Sequence, residues 1–285
     1  MERSAHAASR PRAPWASRVE SLARSFVLLA AVLLGGCQRS DPPSNLHEDK
    51  VVVFAAASLR EAFTSLSEEF KRAHAGVEVT FNFAGSQELR TQIDHGAAVD
   101  VFAAADTAQM GELVRGSRVA PAVVFARNEP VIVVARESAT TIRSLDDLAR
   151  ASRLVVGAAE VPIGRYTLQI LDRASTTRGA DFRARVEANV VSRELNVRQV
   201  LAKVSLGEAQ AGIVYRTDVR APNDGVSIVS IPADANVVAD YPIAIVTGAA
   251  HPTLARAWVD LVLSNEGQRA MKDAGFLAPS EGARP

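Results

Sequence analysis

Hydroxyl side chains follow three strongly apolar stretches of the sequence, at points where a strand would end. Ser58 comes directly after VVVFAAA, Ser86 follows FNFAG, and Tyr215 closes AGIVY. A hydroxyl at a strand end can cap the following helix, donate a hydrogen bond to an anion or, for serine, act as the nucleophile of a hydrolase. These three roles define the candidate chemistry of the protein.

The first role is structural, and the spacing of Ser58 and Glu61 fits it. The two residues match a capping box, with serine at the N-cap and glutamate three positions later. In that arrangement the hydroxyl accepts a backbone N–H and has no ligand. The alternative is that Ser58 lies beside free N–H groups of a helix start and binds an anion together with them.

A hydrolase would need a histidine that pairs with one of the serines. His95, which has Asp94 beside it and Asp100 nearby, offers such a partner for Ser86. Neither Ser86 nor Ser58 lies in a G-x-S-x-G nucleophile elbow, however. The sequence also has no P-loop, GxGxxG or zinc-ligand spacing. These features favour binding over catalysis.

The elements that must position these hydroxyls alternate along the chain. Helical apolar stripes are formed by Leu59 to Phe70, Val197 to Val204 and Leu254 to Leu261. Asp106, after VFAAA, is typical of a helix N-cap. Apolar runs rich in β-formers predict strands at 51–57, 77–84, 99–103, 130–136, 154–157, 210–215, 226–231 and 241–247.

Strands that alternate with helices predict an α/β fold with largely parallel sheets covered on both faces. In such sheets the strand carboxyl ends meet at one crevice. Helix starts there present unpaired N–H groups and the positive end of the helix dipole. Such a crevice can bind a small dehydrated oxyanion without lysine or arginine.

The overall charge argues against a nucleic-acid partner. The chain has 285 residues, 22% of them charged, and its formal net charge is zero. It therefore has no excess of cations to replace the counterions of a phosphate backbone. Five arginines against two glutamates in residues 1–36 give that segment three net positive charges, so the remainder carries three net negative charges.

The amino-terminal segment has the pattern of a secretion signal. Basic residues precede the apolar run FVLLAAVLLGG, which is too short to span a bilayer and suits a signal-peptide core. The run ends in LLGGC, which resembles the bacterial lipobox, so Cys37 is expected to be the lipidated first residue of the mature protein. Cys37 is the sole cysteine, so no disulfide is expected. Residues 37–49 then form a polar tether.

Eight motifs resemble, in order, those of periplasmic molybdate-binding proteins over about residues 50–277. They are VVVFAAASL, FNFAGSQEL, AAVDVFAAAD, EVPIGRY, NVRQVLAKV, GEAQAGIVYRTD, YPIAIV and AWVDLVLSNEGQRAMKDAGF. The resemblance implies a two-lobed periplasmic-binding-protein fold of type 2, with mixed, mostly parallel sheets and the ligand in the inter-lobe cleft. It also implies a monomeric receptor, not an enzyme, that needs no cofactor and delivers molybdate, and tungstate, to the permease of an ABC importer.

The same resemblance implies that five residues contact the oxyanion. Ser58 and Ser86 would each contribute a hydroxyl and a backbone N–H. Ile163 and Val197 would each contribute a backbone N–H, and Tyr215 its hydroxyl. Ile163 occupies a position where a small residue is common in the family. Molybdenum would be bound only as the oxyanion, through these residues.

The signal-peptide pattern and the resemblance together imply the division of the chain. Residues 1–36 form the signal peptide, 50–128 with 244–285 form lobe 1, and 129–243 form lobe 2.

Two alternative functions stay open from the residues alone. One is a receptor for another oxyanion or a small acid on the same fold, and the other is a serine hydrolase that uses Ser58 or Ser86.

Overall fold

The computed structural model describes residues 50–219 and 225–280. The expected signal peptide 1–36, Cys37 and the tether 37–49 lie outside the described residues. Across the two described ranges, no helix is long and apolar enough to cross a membrane. In the same ranges, no group of three or more His, Cys, Asp or Glu side chains is placed to bind a metal ion.

The described residues form ten strands and eight α-helices that largely alternate. The strands are β1 Lys50–Ala56, β2 Glu78–Ala84, β3 Val101–Ala103, β4 Val123–Asn128, β5 Pro130–Ala135, β6 Leu154–Gly157, β7 Val190–Glu194, β8 Ala211–Tyr215, β9 Val226–Ser230 and β10 Ala239–Ile245. The helices are α1 Arg60–Ala73, α2 Ser86–Asp94, α3 Thr107–Arg115, α4 Pro162–Arg178, α5 Phe182–Glu187, α6 Val197–Ser205, α7 Pro252–Leu263 and α8 Asn265–Asp273. The apolar stripes predicted α1, α6 and α7, whereas β4 and β7 were not predicted.

The strands form two five-stranded sheets of matching design. The first has the order β2-β1-β3-β10-β4, and the second has the order β7-β6-β8-β5-β9. In each sheet the first three strands are parallel, and the fourth is antiparallel to both of its neighbours. The fold class is confirmed as two α/β sheets with flanking helices, but each sheet has as many antiparallel as parallel pairings.

The antiparallel strands are the two that arrive from the other sheet. The chain passes from the first sheet to the second between Asn128 and Pro130, and it returns between Ser230 and Ala239. β5 and β10 thus start at the edge where β1 and β8 end, and they run the opposite way. β10 starts at Ala239, before the lobe boundary at residue 244 that was expected from the sequence. The whole strand pairs within the first sheet.

An aromatic cluster holds α1 and α7 on the first sheet. Trp258 of α7 is fully buried and packs edge-on against Phe63 and Phe70 of α1, with ring centroids 5.5 Å apart in both pairs. Phe81 of β2 packs on the same indole at 5.6 Å. This packing fixes α1, and with it the chain that leads out of β1.

Candidate functional site

A small cavity lies where strands of both sheets end. It encloses about 220 Å³, a volume that includes the open space at its mouth. All five residues expected to contact an anion line it, namely Ser58, Ser86, Ile163, Val197 and Tyr215. Much of the remaining wall is alanine and glycine. In the described part of the chain, none of the lining residues has a charged side chain.

Helices that follow strands of both sheets begin at this cavity, with their first-turn backbone N–H groups beside it. Ser86, Ile163 and Val197 lie in the first turn of α2, α4 and α6, and each of these helices starts within a few residues of a strand end. Ser58 lies in a 3₁₀ turn, Ala57–Leu59, that continues into α1. First-turn N–H groups have no partner within their own helix and carry the positive end of its dipole. The cavity wall is therefore suited to an anion.

The N-cap side chains do not accept hydrogen bonds from several of these first-turn N–H groups. Gly85 precedes α2 and Val161 precedes α4, and neither residue supplies a side-chain cap. Asn196 caps α6, but its Oδ1 accepts the N–H groups of Arg198 and Gln199, at 3.0 and 3.1 Å. The N–H of Val197 is thus not used by the cap.

The capping-box interpretation of Ser58 is wrong. The N-cap of α1 is Leu59, and the extra 3₁₀ turn places Ser58 inside helical structure instead of at its start. The Ser58 hydroxyl lies 2.9 Å from the Tyr241 hydroxyl and is buried. Glu61 forms an ion pair with Arg198 and caps nothing. The Ser58 hydroxyl is therefore free of a capping role.

The hydroxyls of Ser86 and Tyr215 each have a hydrogen available to donate. Ser86 Oγ accepts the backbone N–H of Ala105 at 3.0 Å, which leaves its own hydrogen to donate. The Tyr215 hydroxyl is fully buried and has no hydrogen-bond partner among the described residues. Burial raises the pKa of Tyr215 well above its usual value, so the phenol stays protonated. An unpaired buried hydroxyl costs about 1–3 kcal/mol, which an anion in the cavity would offset.

The side chain of Ile163 packs against Gly157 at the end of β6. Its Cγ2 lies 2.8 Å from the position that a Cβ on Gly157 would occupy, which is too close for a side chain at that residue. Because Gly157 has no side chain, the isoleucine packs over the end of β6 and is buried. A large residue is thereby accommodated where the family more often has a small one.

Polar contacts join the two sides of the cavity. Gln87 Nε2 donates to the carbonyl oxygen of Leu195 at 2.7 Å, and Arg198 forms the ion pair with Glu61. Two further contacts link Gln109 Nε2 to Glu160 O at 3.0 Å and Arg165 to Asp106 at 3.5 Å. The residues of the two sheets are thus in a closed arrangement around the cavity.

A buried carboxylate, Asp218, supports Tyr215 from behind. Asp218 Oδ2 accepts the backbone N–H of Tyr215 at 2.9 Å, and its Oδ1 lies 3.3 Å from Nε of Arg198. Burial raises the pKa of Asp218 to about 7, although Arg198 acts in the opposite direction. Sequence reasoning missed Asp218, Arg198 and Tyr241, because their partners lie far away along the chain.

The hydrolase pairing of Ser86 with His95 does not form. Ser86 begins α2 and His95 follows its last residue, so at 1.5 Å per residue they are about 13 Å apart. Asp94 pairs with Arg90, and Asp100 accepts the backbone N–H groups of Val52 and His251. Asp106 caps α3 by accepting the N–H of Gln109, as its sequence context predicts.

Comparisons with known proteins agree on one group. A family model described as bacterial extracellular solute-binding protein matches residues 51–277. The chain is similar to molybdate-binding protein ModA of Mycobacterium tuberculosis, with 40% identity over 262 residues that cover 88% of this chain and 97% of that protein.

Solved structures share the fold at low sequence identity. The periplasmic molybdate-binding protein of Azotobacter vinelandii has a TM-score of 0.68 at 17% identity, covering 81% of this chain and all of that one. The sulfate-binding protein SubI of Mycobacterium tuberculosis has a TM-score of 0.73 at 18% identity, covering 82% and 88%. Both comparisons show the fold alone.

The raised pKa of Asp218 predicts an unusual pH dependence of stability. The folded protein holds this proton up to about pH 7, whereas the unfolded chain releases it near pH 3.8. The contribution of Asp218 to the unfolding free energy therefore falls as pH rises from about 4 to about 7, by up to about 4 kcal/mol. We expect Asp218→Asn to remove this fall. Urea unfolding of both proteins across pH 4–8 measures it, and a constant difference between them would contradict the assignment.

Proposed function

The chain belongs to the bacterial extracellular solute-binding proteins, and among them to the molybdate-binding proteins; from this premise we propose that it binds molybdate outside the cytoplasm and delivers it to an ABC importer. Tungstate, which has the same shape and charge, is expected to bind as well. The function is binding for transport, and no catalytic step is needed.

One observation carries this proposal. Helix starts and hydroxyl groups from both sheets converge on a cavity whose described lining residues are all uncharged. We assign the anion contacts to the hydroxyls of Ser58, Ser86 and Tyr215 and to the backbone N–H groups of Ser58, Ser86, Ile163 and Val197. Seven hydrogen bonds to a dianion, at about 1.5–3 kcal/mol each, offset the cost of dehydrating it. Affinities between micromolar and tens of nanomolar are then expected.

The choice of anion follows from the neutral donors. Fixed donors without a charged partner discriminate by the size of the anion and by whether its oxygens carry protons. Molybdate would reach all the donors, whereas the smaller sulfate would leave some of them too distant. The main alternative is a receptor for another oxyanion or a small acid, since the fold is shared with a sulfate-binding protein.

Ligand binding is proposed to stabilise closure of two lobes. The lobes expected from the sequence are 50–128 with 244–285, and 129–243; we now place all of β10 in the first. An anion held by Ser58 and Ser86 on one side and by Val197 and Tyr215 on the other would favour the closed state. A permease that recognises the closed state would then distinguish the loaded receptor from the empty one.

Attachment to the membrane is a separate part of the proposal. Membership of an extracellular family indicates a location outside the cytoplasm. We propose that residues 1–36 are removed, that Cys37 is lipidated, and that residues 37–49 tether a monomeric receptor beside its permease.

Molybdate and tungstate are expected to raise the melting temperature, and sulfate much less at equal concentration. At 100 times the Kd the added stability is about 2.7 kcal/mol. Phosphate and chromate complete the set of anions in this thermal-shift experiment.

In calorimetry, Ser58→Ala should weaken molybdate binding about 10- to 150-fold, because one charge-assisted donor is lost.

Ser67→Ala is the matched control for this experiment. Ser67 is as buried as Ser58, but its hydroxyl donates to the carbonyl oxygen of Thr64 within α1, away from the cavity. Its replacement should lower stability and leave the Kd unchanged. Equal stabilisation by sulfate and molybdate would refute size selection, and equal Kd values for both serine variants would remove Ser58 from the site.

Closure is expected to depend on Gly85. A Cβ at this position would lie 2.3 Å from the carbonyl oxygen of Leu195, across the cavity. The backbone of Gly85 is ordinary, with φ −63°, so Gly85→Ala should fold but keep the two sides apart. Overpacking of this kind costs about 1–3 kcal/mol, and we expect molybdate affinity to fall about 10-fold or more. Calorimetry measures it.

Gly111→Ala, within α3, is the control for Gly85→Ala. Its new Cβ would meet only the end of the Arg115 side chain, at 3.4 Å, so affinity should not change. An unchanged affinity in Gly85→Ala would show that the contact with Leu195 is not needed for closure.

Lipidation predicts that cells fed a fatty-acid analogue label the wild-type protein and not Cys37→Ser. The variant should be released from the membrane and keep its affinity for molybdate, because the tether lies outside the binding residues. Label that persists in Cys37→Ser would show that the lipobox assignment is wrong.

A further inference from the structure

The Ser58 hydroxyl is held from behind by a residue outside the cavity wall. Ser58 Oγ and Tyr241 Oη are 2.9 Å apart, and both residues are buried. Tyr241 lies in β10, far from Ser58 in sequence, and is not among the residues that line the cavity. A contact between two hydroxyls has no direction of its own, because either can donate.

Asn128, the last residue of β4, supplies the direction. Its Oδ1 accepts the backbone N–H of Glu129 at 2.9 Å, which identifies the other end of the amide as the NH₂ group. That NH₂ donates to Thr217 Oγ1 at 2.7 Å and, in a longer contact, to Tyr241 Oη at 3.5 Å. An amide NH₂ cannot accept, so the hydrogen of Tyr241 cannot point toward Asn128.

The remaining partner of Tyr241 within the described residues is Ser58. The Tyr241 hydrogen therefore goes to Ser58 Oγ, and the Ser58 hydrogen must be directed elsewhere, into the cavity. The opposite order would leave a buried tyrosine hydrogen without an acceptor, at a real cost in stability. Burial also raises the pKa of Tyr241 well above its usual value, so the phenol keeps its proton at neutral pH.

We propose that Asn128 and Tyr241 are positioning residues that fix Ser58 as a hydrogen-bond donor to the cavity and thereby exclude anions that carry a proton at this position. This rests on the anion-binding function proposed above and adds the source of its selectivity. Molybdate and sulfate are unprotonated dianions at neutral pH. Phosphate, as its dianion, keeps one P–OH group, which needs an acceptor that a fixed donor cannot provide.

Tyr241→Phe tests the proposal, because it removes the hydroxyl and keeps the ring packed against Tyr215 and Phe276. Ser58 can then accept as well as donate. We expect molybdate and sulfate to bind about 2- to 10-fold more weakly, the effect of one neutral hydrogen bond. Phosphate should bind as well as before or better. The readout is the Kd for phosphate divided by the Kd for sulfate or for molybdate, measured at pH 7.5. A general loss of stability would not change this ratio.

Two further variants make the test decisive. Tyr166→Phe removes a hydroxyl from the same aromatic cluster, where Tyr166 packs on Tyr215 at 6.4 Å, and should leave the ratios unchanged. Asn128→Asp replaces the NH₂ donor by an acceptor for the Tyr241 hydrogen, so that Ser58 presents a lone pair to the cavity. This variant should show the largest shift toward phosphate.

The outcomes separate this proposal from the proposed function. Ratios that shift in Tyr241→Phe and Asn128→Asp, but not in Tyr166→Phe, support the donor chain. Unchanged ratios in both variants overturn it, even if their melting temperatures fall. Sulfate and phosphate have nearly the same size and charge, so the ratio of their Kd values tests the donor chain independently of molybdate. Wild-type protein that prefers neither molybdate nor tungstate would contradict the proposed function but not the donor chain.

Discussion

Backbone N–H groups in the first turn of a helix need an acceptor, and this requirement governs how the cavity is built. Neither Gly85 nor Val161 supplies a side-chain cap, and Asn196 caps residues other than Val197. An aspartate or glutamate in the wall would satisfy these donors itself and leave none for a ligand. A wall of alanine, glycine and hydroxyl residues keeps them available, and it also allows the helix starts to approach one another closely.

The positions of the chain crossings connect this wall to the rest of the fold. Asn128 ends the strand that leads out of the first sheet, and Tyr241 lies in the strand that returns to it. Thr217, which follows β8 of the second sheet, bonds to Asn128 directly. The residues that orient Ser58 therefore lie beside the connections between the two sheets, next to Tyr215, which pairs with Pro130 at the first crossing.

Local patterns predicted what depends on near neighbours. The stripe from Leu59 to Phe70 predicted α1 because its apolar face packs on one sheet, and ordered motifs identified the family and five residues that the fold brings to one cavity. The capping box failed because the role of Ser58 is set by Tyr241, 183 residues away. β4 and β7 were missed since short, partly exposed strands lack a clear apolar run. The antiparallel pairings follow from the chain crossings, which no local pattern contains.

The charges near the cavity explain why selectivity must come from neutral donors. Arg198 follows Val197 directly, yet its guanidinium contacts Glu61 and Asp218. A cation that is already paired with the carboxylate of Glu61 contributes little net positive potential to the cavity. An anion is therefore held by dipoles of fixed direction, whose energy changes steeply with distance and with the protonation of the ligand. Proteins of this fold include binders of molybdate and of sulfate, so the fold alone does not set the choice of anion. In our proposal the distances between the donors select by size, and the direction of the Ser58 hydrogen selects against anions that carry a proton.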